Sequence, residues 1–265
     1  MNKHALVISF SFSLFAATGY GISLVQAQEQ SPLKIGMEIT YPPFESYDAK
    51  NNIVGADPEL AAAMGNAMDR KVEFIDTKFL SLINGLNAGK YDAIISGMYV
   101  TAERQTQVLS IPYATTGSAI LVVRDSEFQP QSPEDLCGKN VGLEQGNSWL
   151  PKLQKLSETY CVPNQKTAVM VSEYPSAPEA TQALLSGNVQ AQVEIAGAAH
   201  IISERTRGRV VISSKHLIYP ETLGIFVKKG NSTTHAALMK ALSLIRANGE
   251  YEAILKKYSL DPISE

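Results

Sequence analysis

The chain has 265 residues, of which 45% are hydrophobic and 18% are charged, and its formal net charge at pH 7 is -3. This composition predicts a globular protein of one or two domains with a sizeable core. The small negative charge excludes strong nonspecific attraction to nucleic acid or to anionic lipid. The sequence also lacks a basic cluster and a phosphate-binding glycine loop.

The first 27 residues have the pattern of an export signal. Lys3 and His4 form a short basic start, residues 5–24 are largely apolar, and Ala27 completes a small-residue cleavage motif. An uncleaved membrane anchor is the alternative, because the apolar run is longer than an ordinary signal core. Its Ser and Gly content and the cleavage motif favour the signal, so we predict a periplasmic protein cleaved after about Ala27.

The two cysteines, Cys137 and Cys161, lie 24 residues apart. Export to an oxidising compartment favours their pairing, and neither belongs to a CxxC motif or has the spacing of metal ligands. We predict one structural disulfide, with two buried free thiols as the alternative.

Strands and helices alternate along the rest of the chain. Strands are predicted at residues 33–37, 71–75, 91–95, 118–123, 140–144, 168–172, 189–194, 210–212 and 223–227. Helices are predicted from Asp57, from Thr101, and at residues 79–86, 149–159, 177–185, 195–205, 235–247 and 251–258. In the first of these helices Asp57 is the predicted N-cap and Pro58 occupies the first helical position. This alternation predicts an α/β fold with mostly parallel sheets.

Three segments follow predicted strands and are candidates for a ligand site, because ligands collect at the carboxyl ends of parallel strands. Tyr41 and Phe44 lie on a proline-stiffened loop, where they are either core residues or a ligand platform. Ser96 and Gln145 follow two later strands. Arg104 follows the predicted cap Thr101, and its planar guanidinium suits a carboxylate, although an ordinary surface arginine is the alternative.

Five fragments in order resemble the polar amino acid family of periplasmic solute-binding proteins of ABC importers (extracellular solute-binding proteins, family 3), over nearly the whole mature chain. They are YPPFE (Tyr41–Glu45), NIVGADPELAAAM (Asn52–Met64), LNAGKYDAIISGM with TAER (Leu86–Met98 and Thr101–Arg104), VGLEQG (Val141–Gly146) and ANGEYEAILKKY (Ala247–Tyr258).

The resemblance implies a two-lobed, type II periplasmic-binding-protein fold. Each lobe would be a mostly parallel sheet flanked by helices, and two hinge strands would join the lobes. Lobe 1 would comprise residues 28–123 and 224–265, and lobe 2 residues 124–223. The polar run Ser126–Pro133 suits a crossing between them. The resemblance further implies a monomer that captures an amino acid or derivative carrying a carboxylate and delivers it to an ABC permease.

Family positions imply the roles of individual residues. Arg104 would hold the α-carboxylate, helped by amide N–H groups of Asn147 and Ser148. Tyr41 and Phe79 would flank the ligand, and Ser96 and Gly97 would offer backbone or hydroxyl contacts. No cofactor, metal or nucleic acid is expected.

Three departures from the family pattern concern the ligand site. Tyr99 stands where the family has Ser or Thr, and Ile195 where an Asp would accept the ligand ammonium. Glu144 occupies an often apolar position. Glu194 precedes Ile195, but a shift of one residue in a strand places a side chain on the other face.

These departures leave two interpretations open. In one, Glu144 or Glu194 accepts the ammonium, because a buried cation needs an anionic partner. In the other, the ligand has no ordinary ammonium, as in an N-substituted amino acid, an opine-like conjugate or a betaine. Aromatic side chains would then enclose the alkylated nitrogen, with Trp149 either among them or in the core of lobe 2.

Two other functions compete with transport. A dehydratase-like enzyme on the same fold would use Glu144 and Glu194 as an acid–base pair, although no nucleophile elbow, HExxH motif or metal cluster is present. A ligand sensor would need a membrane signalling segment, and none follows the export signal. We therefore expect a binding protein and not an enzyme.

Overall fold

The computed structural model of the protein describes residues 31–263. The predicted export signal lies outside the described residues. Within them, no helix has both the length and the apolar character needed to cross a bilayer.

The described residues form eleven strands and eight α-helices. The strands are β1 Leu33–Met37, β2 Ser46–Tyr47, β3 Ile53–Val54, β4 Val72–Asp76, β5 Ala93–Ile94, β6 Val108–Val123, β7 Asn140–Glu144, β8 Met170–Tyr174, β9 Ala191–Ile195, β10 Val210–Ile212 and β11 Ile218–Lys228. The helices are α1 Ala56–Ala67, α2 Leu82–Asn87, α3 Ala102–Gln107, α4 Trp149–Leu156, α5 Ala177–Leu185, α6 Ala196–Arg205, α7 Ser232–Ala247 and α8 Glu250–Lys257. Short 3-10 segments precede α2 and β7, and a π-helical turn, Ser157–Cys161, extends α4.

One curled sheet connects two halves of the molecule. Its strand order is β4-β1-β5-β11-β6-β9-β7-β8, and β10 pairs with β6. The strands β4, β1 and β5 are mutually parallel, and so are β8, β7 and β9. Between these two groups β6 and β11 run antiparallel. This arrangement confirms the predicted α/β fold with two parallel sheets joined by two long strands.

The long strand β6 belongs to both halves. It pairs with β11 from Val108 to Ser118 and with β9 and β10 from Ser118 to Val123. The polar segment Ser126–Pro133 therefore follows β6 after that strand has already joined β9 and β10. The predicted lobe boundaries, after residue 123 and before residue 224, stay a prediction.

The predicted cap of the first long helix is wrong. Helix α1 begins one residue before Asp57, and Gly55 is its N-cap, with a φ of 140°. A Cβ at Gly55 would lie 2.0 Å from the carbonyl oxygen of Phe44, so only glycine fits here. Asp57 is instead buried in the first turn, where it accepts hydrogen bonds from the Gly97 N–H at 2.6 Å and the Tyr113 hydroxyl at 2.7 Å.

The predicted disulfide is confirmed. Cys137 and Cys161 are bonded, with their Cα atoms 5.6 Å apart. The bond ties the π-helical turn after α4 to the loop before β7, next to the segment that carries the lobe-2 side of the candidate site.

Candidate functional site

The carboxyl ends of the strands meet at a small cavity of about 20 Å³ between the two halves. Its walls come from the loops after β1, β4, β5 and β7 and from the end of β9. The lining residues are Tyr41, Phe79, Gly97, Tyr99, Arg104, Glu144, Asn147, Ser148, Trp149 and Ile195. A volume of this size accommodates about one water molecule, so an amino acid can enter only when the two halves separate.

Arg104 is the buried cation of this cavity. It lies in the first turn of α3, whose cap Thr101 accepts a hydrogen bond from the Arg104 N–H at 3.1 Å, as predicted. Its guanidinium donates to the Tyr99 carbonyl at 2.7 Å and to the Gly146 carbonyl at 2.8 Å, and it lies 5.5 Å from the centre of the Phe79 ring. Burial lowers the pKa of Arg104 to about 10, so the group stays charged at neutral pH.

The bond to Gly146 crosses between the halves, because Gly146 follows β7 whereas Arg104 follows β5. A larger groove of about 750 Å³ also borders Arg104. Arg104, Asn147 and Ser148 line both spaces. Arg104 therefore borders both the small cavity and the larger groove.

Tyr41 makes a second link between the halves. Its hydroxyl donates to Glu194 Oε2 at 2.6 Å and accepts a hydrogen bond from the Ile195 N–H at 3.3 Å. Glu194 also accepts from Gln192 at 2.8 Å, and burial raises the pKa of Glu194 to about 7 despite these two bonds. The Tyr41 ring stacks on Phe44, with the ring centres 5.6 Å apart.

A pair of carboxyl groups also faces across the halves. Glu38 follows β1, and its carboxylate accepts from Lys78 Nζ at 3.0 Å and from the Phe79 N–H at 2.8 Å. Glu144, the last residue of β7, lies close enough to Glu38 for the two negative charges to repel each other. Burial first, and then the negative charges of Glu38 and Glu194, raise the pKa of Glu144 far above the usual range of a carboxyl group.

Tyr99 and Trp149 form an aromatic wall. Their rings meet edge to face, with centres 6.2 Å apart, and Trp149 Nε1 donates to the Ser118 hydroxyl at 2.8 Å. Burial raises the pKa of the Tyr99 phenol. Trp149 both lines the cavity and belongs to the hydrophobic core, so the two interpretations of this residue are not exclusive.

Asn147 organises the turn into α4. Its side-chain oxygen accepts from the Trp149 N–H at 2.7 Å, and its amide donates to the Glu144 carbonyl. The Ser148 hydroxyl donates to Glu221 Oε2 at 3.0 Å. Within residues 31–263 the backbone N–H groups of Asn147 and Ser148 donate to no other protein group. They are therefore able to bind a carboxylate, as the family positions imply.

A buried acidic network supports the floor of the cavity. The Ser96 hydroxyl accepts from the Glu38 N–H at 3.0 Å and donates to Glu45 at 2.9 Å. Burial and then the negative charge of Asp57 raise the pKa of Glu45. Burial raises the pKa of Asp57 to about 6. Because Asp57 holds the Gly97 N–H, this network fixes the loop that follows β5.

Eight of the ten predicted ligand-binding residues line the cavity. Ser96 and Glu194 do not, since Ser96 lies in the network beneath the cavity and Glu194 bonds to Tyr41 and Gln192. Sequence reasoning did not single out Glu38 as a site residue. Its position at the carboxyl end of β1 was a usable signal, because the same rule had pointed to Tyr41.

Within residues 31–263 no cluster of three or more His, Cys, Asp or Glu side chains is arranged to hold a metal ion.

The sequence model for bacterial extracellular solute-binding proteins, family 3, matches residues 33–261. The chain belongs to this family. The ABC transporter arginine-binding protein 1 of Escherichia coli K12 is 31% identical over 257 residues, which cover 94% of this chain and 94% of that protein. The lysine/arginine/ornithine-binding periplasmic protein of the same strain is 29% identical and covers 97% of each chain.

Solved structures agree with this assignment. An ancestral arginine-binding protein bound to arginine is 33% identical, with a TM-score of 0.78 over 87% of this chain and 99% of that chain. The ancestral amino acid-binding protein AncCDT-1, a precursor of cyclohexadienyl dehydratase, is 27% identical, with a TM-score of 0.73 over 86% and 95% of the two chains. The two-lobed fold is therefore shared with binding proteins and with a precursor of an enzyme.

Proposed function

We propose that this protein captures an amino acid or amino-acid derivative between its two lobes and delivers it to the membrane permease of an ABC importer. The position of Arg104 carries the proposal. A buried guanidinium on a capped turn shares one cavity with residues of both halves, so a single carboxylate there contacts both.

The carboxylate is expected to replace the Gly146 carbonyl as the partner of Arg104. One N–H group of the guanidinium stays bonded to the Tyr99 carbonyl. The backbone N–H groups of Asn147 and Ser148 then donate to the carboxylate from the opposite lobe. Tyr41 and Phe79 then flank the body of the ligand. Because these contacts exist together only when the lobes are closed, the ligand favours closure by its differential affinity.

Relatives that bind arginine, lysine, ornithine or histidine make a basic amino acid the first ligand class to test. Glu144, which lines the cavity, and the neighbouring Glu38 suit a ligand with a positive charge. The ligand either has an ammonium group that an acidic side chain accepts, or has no ordinary ammonium group. Both interpretations stand, because Ile195 faces the cavity at the expected ammonium position and Glu194 already bonds to Tyr41. N-substituted amino acids therefore belong in the same test.

We infer that the protein is not an enzyme. A dehydratase-like reaction by Glu144 and Glu194 needs both carboxyl groups at the substrate, whereas Glu194 lies outside the lining of the cavity. The periplasmic relatives support a periplasmic location, with cleavage after about Ala27. We propose that the protein acts as a monomer, with the lobe boundaries near residues 123 and 224.

A ligand panel tests the proposal. The protein is purified from the periplasm, stripped of bound ligand by partial unfolding, and melted with free amino acids and with their N-alkylated, conjugated and deaminated counterparts. A ligand at a hundred times its Kd adds about 2.7 kcal/mol. In a chain of this size that raises Tm by roughly 5–10 °C.

Arg104→Lys keeps the positive charge but removes the bidentate fork, and we expect it to abolish most of the shift. The matched control is Arg207→Lys, an exposed arginine after α6, which should keep the full shift. If no carboxylate stabilises the protein, or if Arg104→Lys responds like the control, the proposed function is wrong.

A further inference from the structure

The strand β11, one of the two strands that join the halves, carries an acidic side chain beside the proposed carboxylate site. Glu221 accepts a hydrogen bond from the Ser148 hydroxyl at 3.0 Å and forms an ion pair with Lys152 Nζ at 3.0 Å. Its side chain is 13% exposed. Ser148 is the N-cap of α4 and Lys152 is the fourth residue of that helix. Glu221 therefore ties the first turn of α4 to the hinge strand.

The residues before Glu221 make β11 irregular. The register of β11 against β6 shifts between Ile218 and Glu221, and Tyr219 between them has a φ of 47°. A residue with a bulky side chain adopts such a backbone rarely and at a cost. Lys152 also contacts this residue, since its Nζ lies 5.5 Å from the centre of the Tyr219 ring. A strand irregularity redirects the neighbouring side chains, and here Glu221 is directed at α4.

The next residues of β11 hold the opposite side of the site. The Thr222 carbonyl accepts a hydrogen bond from the Val100 N–H at 2.8 Å, and the Gly224 N–H donates to the Met98 carbonyl at 3.0 Å. These bonds fix the loop that leads from β5 into α3, and α3 carries Arg104. Neighbouring residues of one strand therefore hold the cation of one half and the N–H donors of the other.

The charge of Glu221 by itself opposes the binding of an anion here. The proposed donors to the ligand carboxylate include the backbone N–H of Ser148, the residue whose hydroxyl bonds to Glu221. Two negative groups would therefore lie at the same turn, and Lys152 offsets part of their repulsion. Any gain in affinity from Glu221 must come from the position that it gives to α4. Mutation can separate these two effects, because they have opposite signs.

We propose that Glu221 is a positioning residue, which holds the first turn of α4 where one carboxylate can contact both this turn and Arg104. This inference rests on the proposed function, because it requires a ligand whose carboxylate lies between Arg104 and the N–H groups of Asn147 and Ser148. Glu221 does not touch the ligand in this account. It acts through Ser148 and Lys152.

The experiment measures affinity by calorimetry with the free amino acid that gives the largest shift in the melting panel, L-arginine being tried first. We expect Glu221→Ala to weaken binding about tenfold, because the bond that holds Ser148 is lost. We expect Glu221→Gln to bind at least as tightly as the wild type, because it keeps an oxygen acceptor for Ser148 and removes the negative charge. The matched control is Glu204→Ala, an exposed glutamate of α6, which should leave the affinity unchanged.

A double variant tests whether Glu221 acts through Ser148. Ser148→Ala removes the hydroxyl but keeps the backbone N–H, and we expect it to weaken binding by about as much as Glu221→Ala. The double variant Glu221→Ala/Ser148→Ala should bind no more weakly than either single variant, because both changes remove the same hydrogen bond. The unfolding temperature of each variant shows whether its fold is retained. If Glu221→Ala does not fold, Ser148→Ala alone decides, and an unchanged affinity overturns the inference.

The outcomes separate this inference from the proposed function. Unchanged or tighter binding in a folded Glu221→Ala, equal affinities of Glu221→Ala and Glu221→Gln, or additive losses in the double variant overturns the positioning role. If Arg104→Lys abolishes binding while Glu221→Ala binds normally, the inference is wrong and the proposed function stands. Failure of every carboxylate in the melting panel overturns both.

Discussion

The positions of Glu194 and Ile195 show how a shift of one residue changes a site. Successive side chains of a strand point to opposite faces, and in β9 Ile195 reaches the cavity while Glu194 bonds to Gln192 two residues earlier, on its own face. Glu194 nevertheless takes part in the contact between the lobes through Tyr41. The alternation rule thus explains why Glu194 is not a simple replacement for the missing Asp.

Glu194→Gln tests the cost of that buried charge. The pKa of Glu194 in the folded protein, about 7, lies above the ordinary carboxyl value of 4.5, so the folded state binds this proton more tightly than the unfolded state. Stability from this group is therefore fully present below about pH 4.5 and is lost as the pH rises towards 7. Glutamine keeps the acceptor for Tyr41 and has no charge to bury.

We expect Glu194→Gln to be more stable than the wild type at pH 8, on the order of 2 kcal/mol, and to lose that advantage at pH 4. Urea unfolding at the two pH values measures the difference. An equal change in stability at both pH values would contradict the account of this residue.

Most residues that line the cavity were predicted from the sequence, but contacts between distant parts of the chain were not. The family positions supplied Arg104, Tyr41 and Phe79, which all line the cavity. The proximity of Glu38 to Glu144 could not be predicted, because it depends on how closely the two lobes approach. No local pattern around either glutamate encodes that approach.

At the scale of elements, the short helix α3 positions the key cation. Its first turn holds Arg104, and the Thr101 hydroxyl accepts the Arg104 backbone N–H at 3.1 Å. A helix of six residues has little stability of its own, so its cap contributes a large share of its order.

We expect Thr101→Ala to lower the free energy of unfolding by about 1 kcal/mol. We also expect it to weaken ligand binding, because the turn that positions the Arg104 side chain becomes less ordered. Thr101→Ser is the matched control, since it keeps the hydroxyl and should preserve both properties. Denaturant unfolding and ligand titration provide the two measurements. Normal affinity in Thr101→Ala would show that α3 does not need its cap to place Arg104.

Most strands and helices were predictable from sequence, and the two hinge strands show why some were not. Strands β1, β7 and β10 and helix α5 match their predictions residue for residue. Strands β6 and β11 are much longer than predicted, and they contain Pro112 and Pro220. Both prolines lie where the register of the β6–β11 pair shifts, so the sheet tolerates their missing N–H groups there.

At the scale of the whole molecule, composition and alternation predicted an α/β protein, but they did not predict two lobes. That expectation came from the family resemblance, and the single sheet with β6 and β11 at its centre confirms it. The lobes meet through Arg104 and Gly146 and through Tyr41 and Glu194. Both links lie near the carboxyl ends of strands, where a ligand between the lobes would exchange them for its own contacts.

The central claim is that an amino acid binds in this cavity, and Trp149 provides its most direct test. It is the only tryptophan of the chain, 4% of its surface is exposed, and it lines the cavity. Its fluorescence is recorded while the stripped protein is titrated with the compound that gives the largest melting shift. We predict a saturable change at one ligand per protein, which Arg104→Ala abolishes. A compound that raises Tm while leaving the Trp149 emission unchanged, or that acts equally on Arg104→Ala, would show that binding occurs elsewhere.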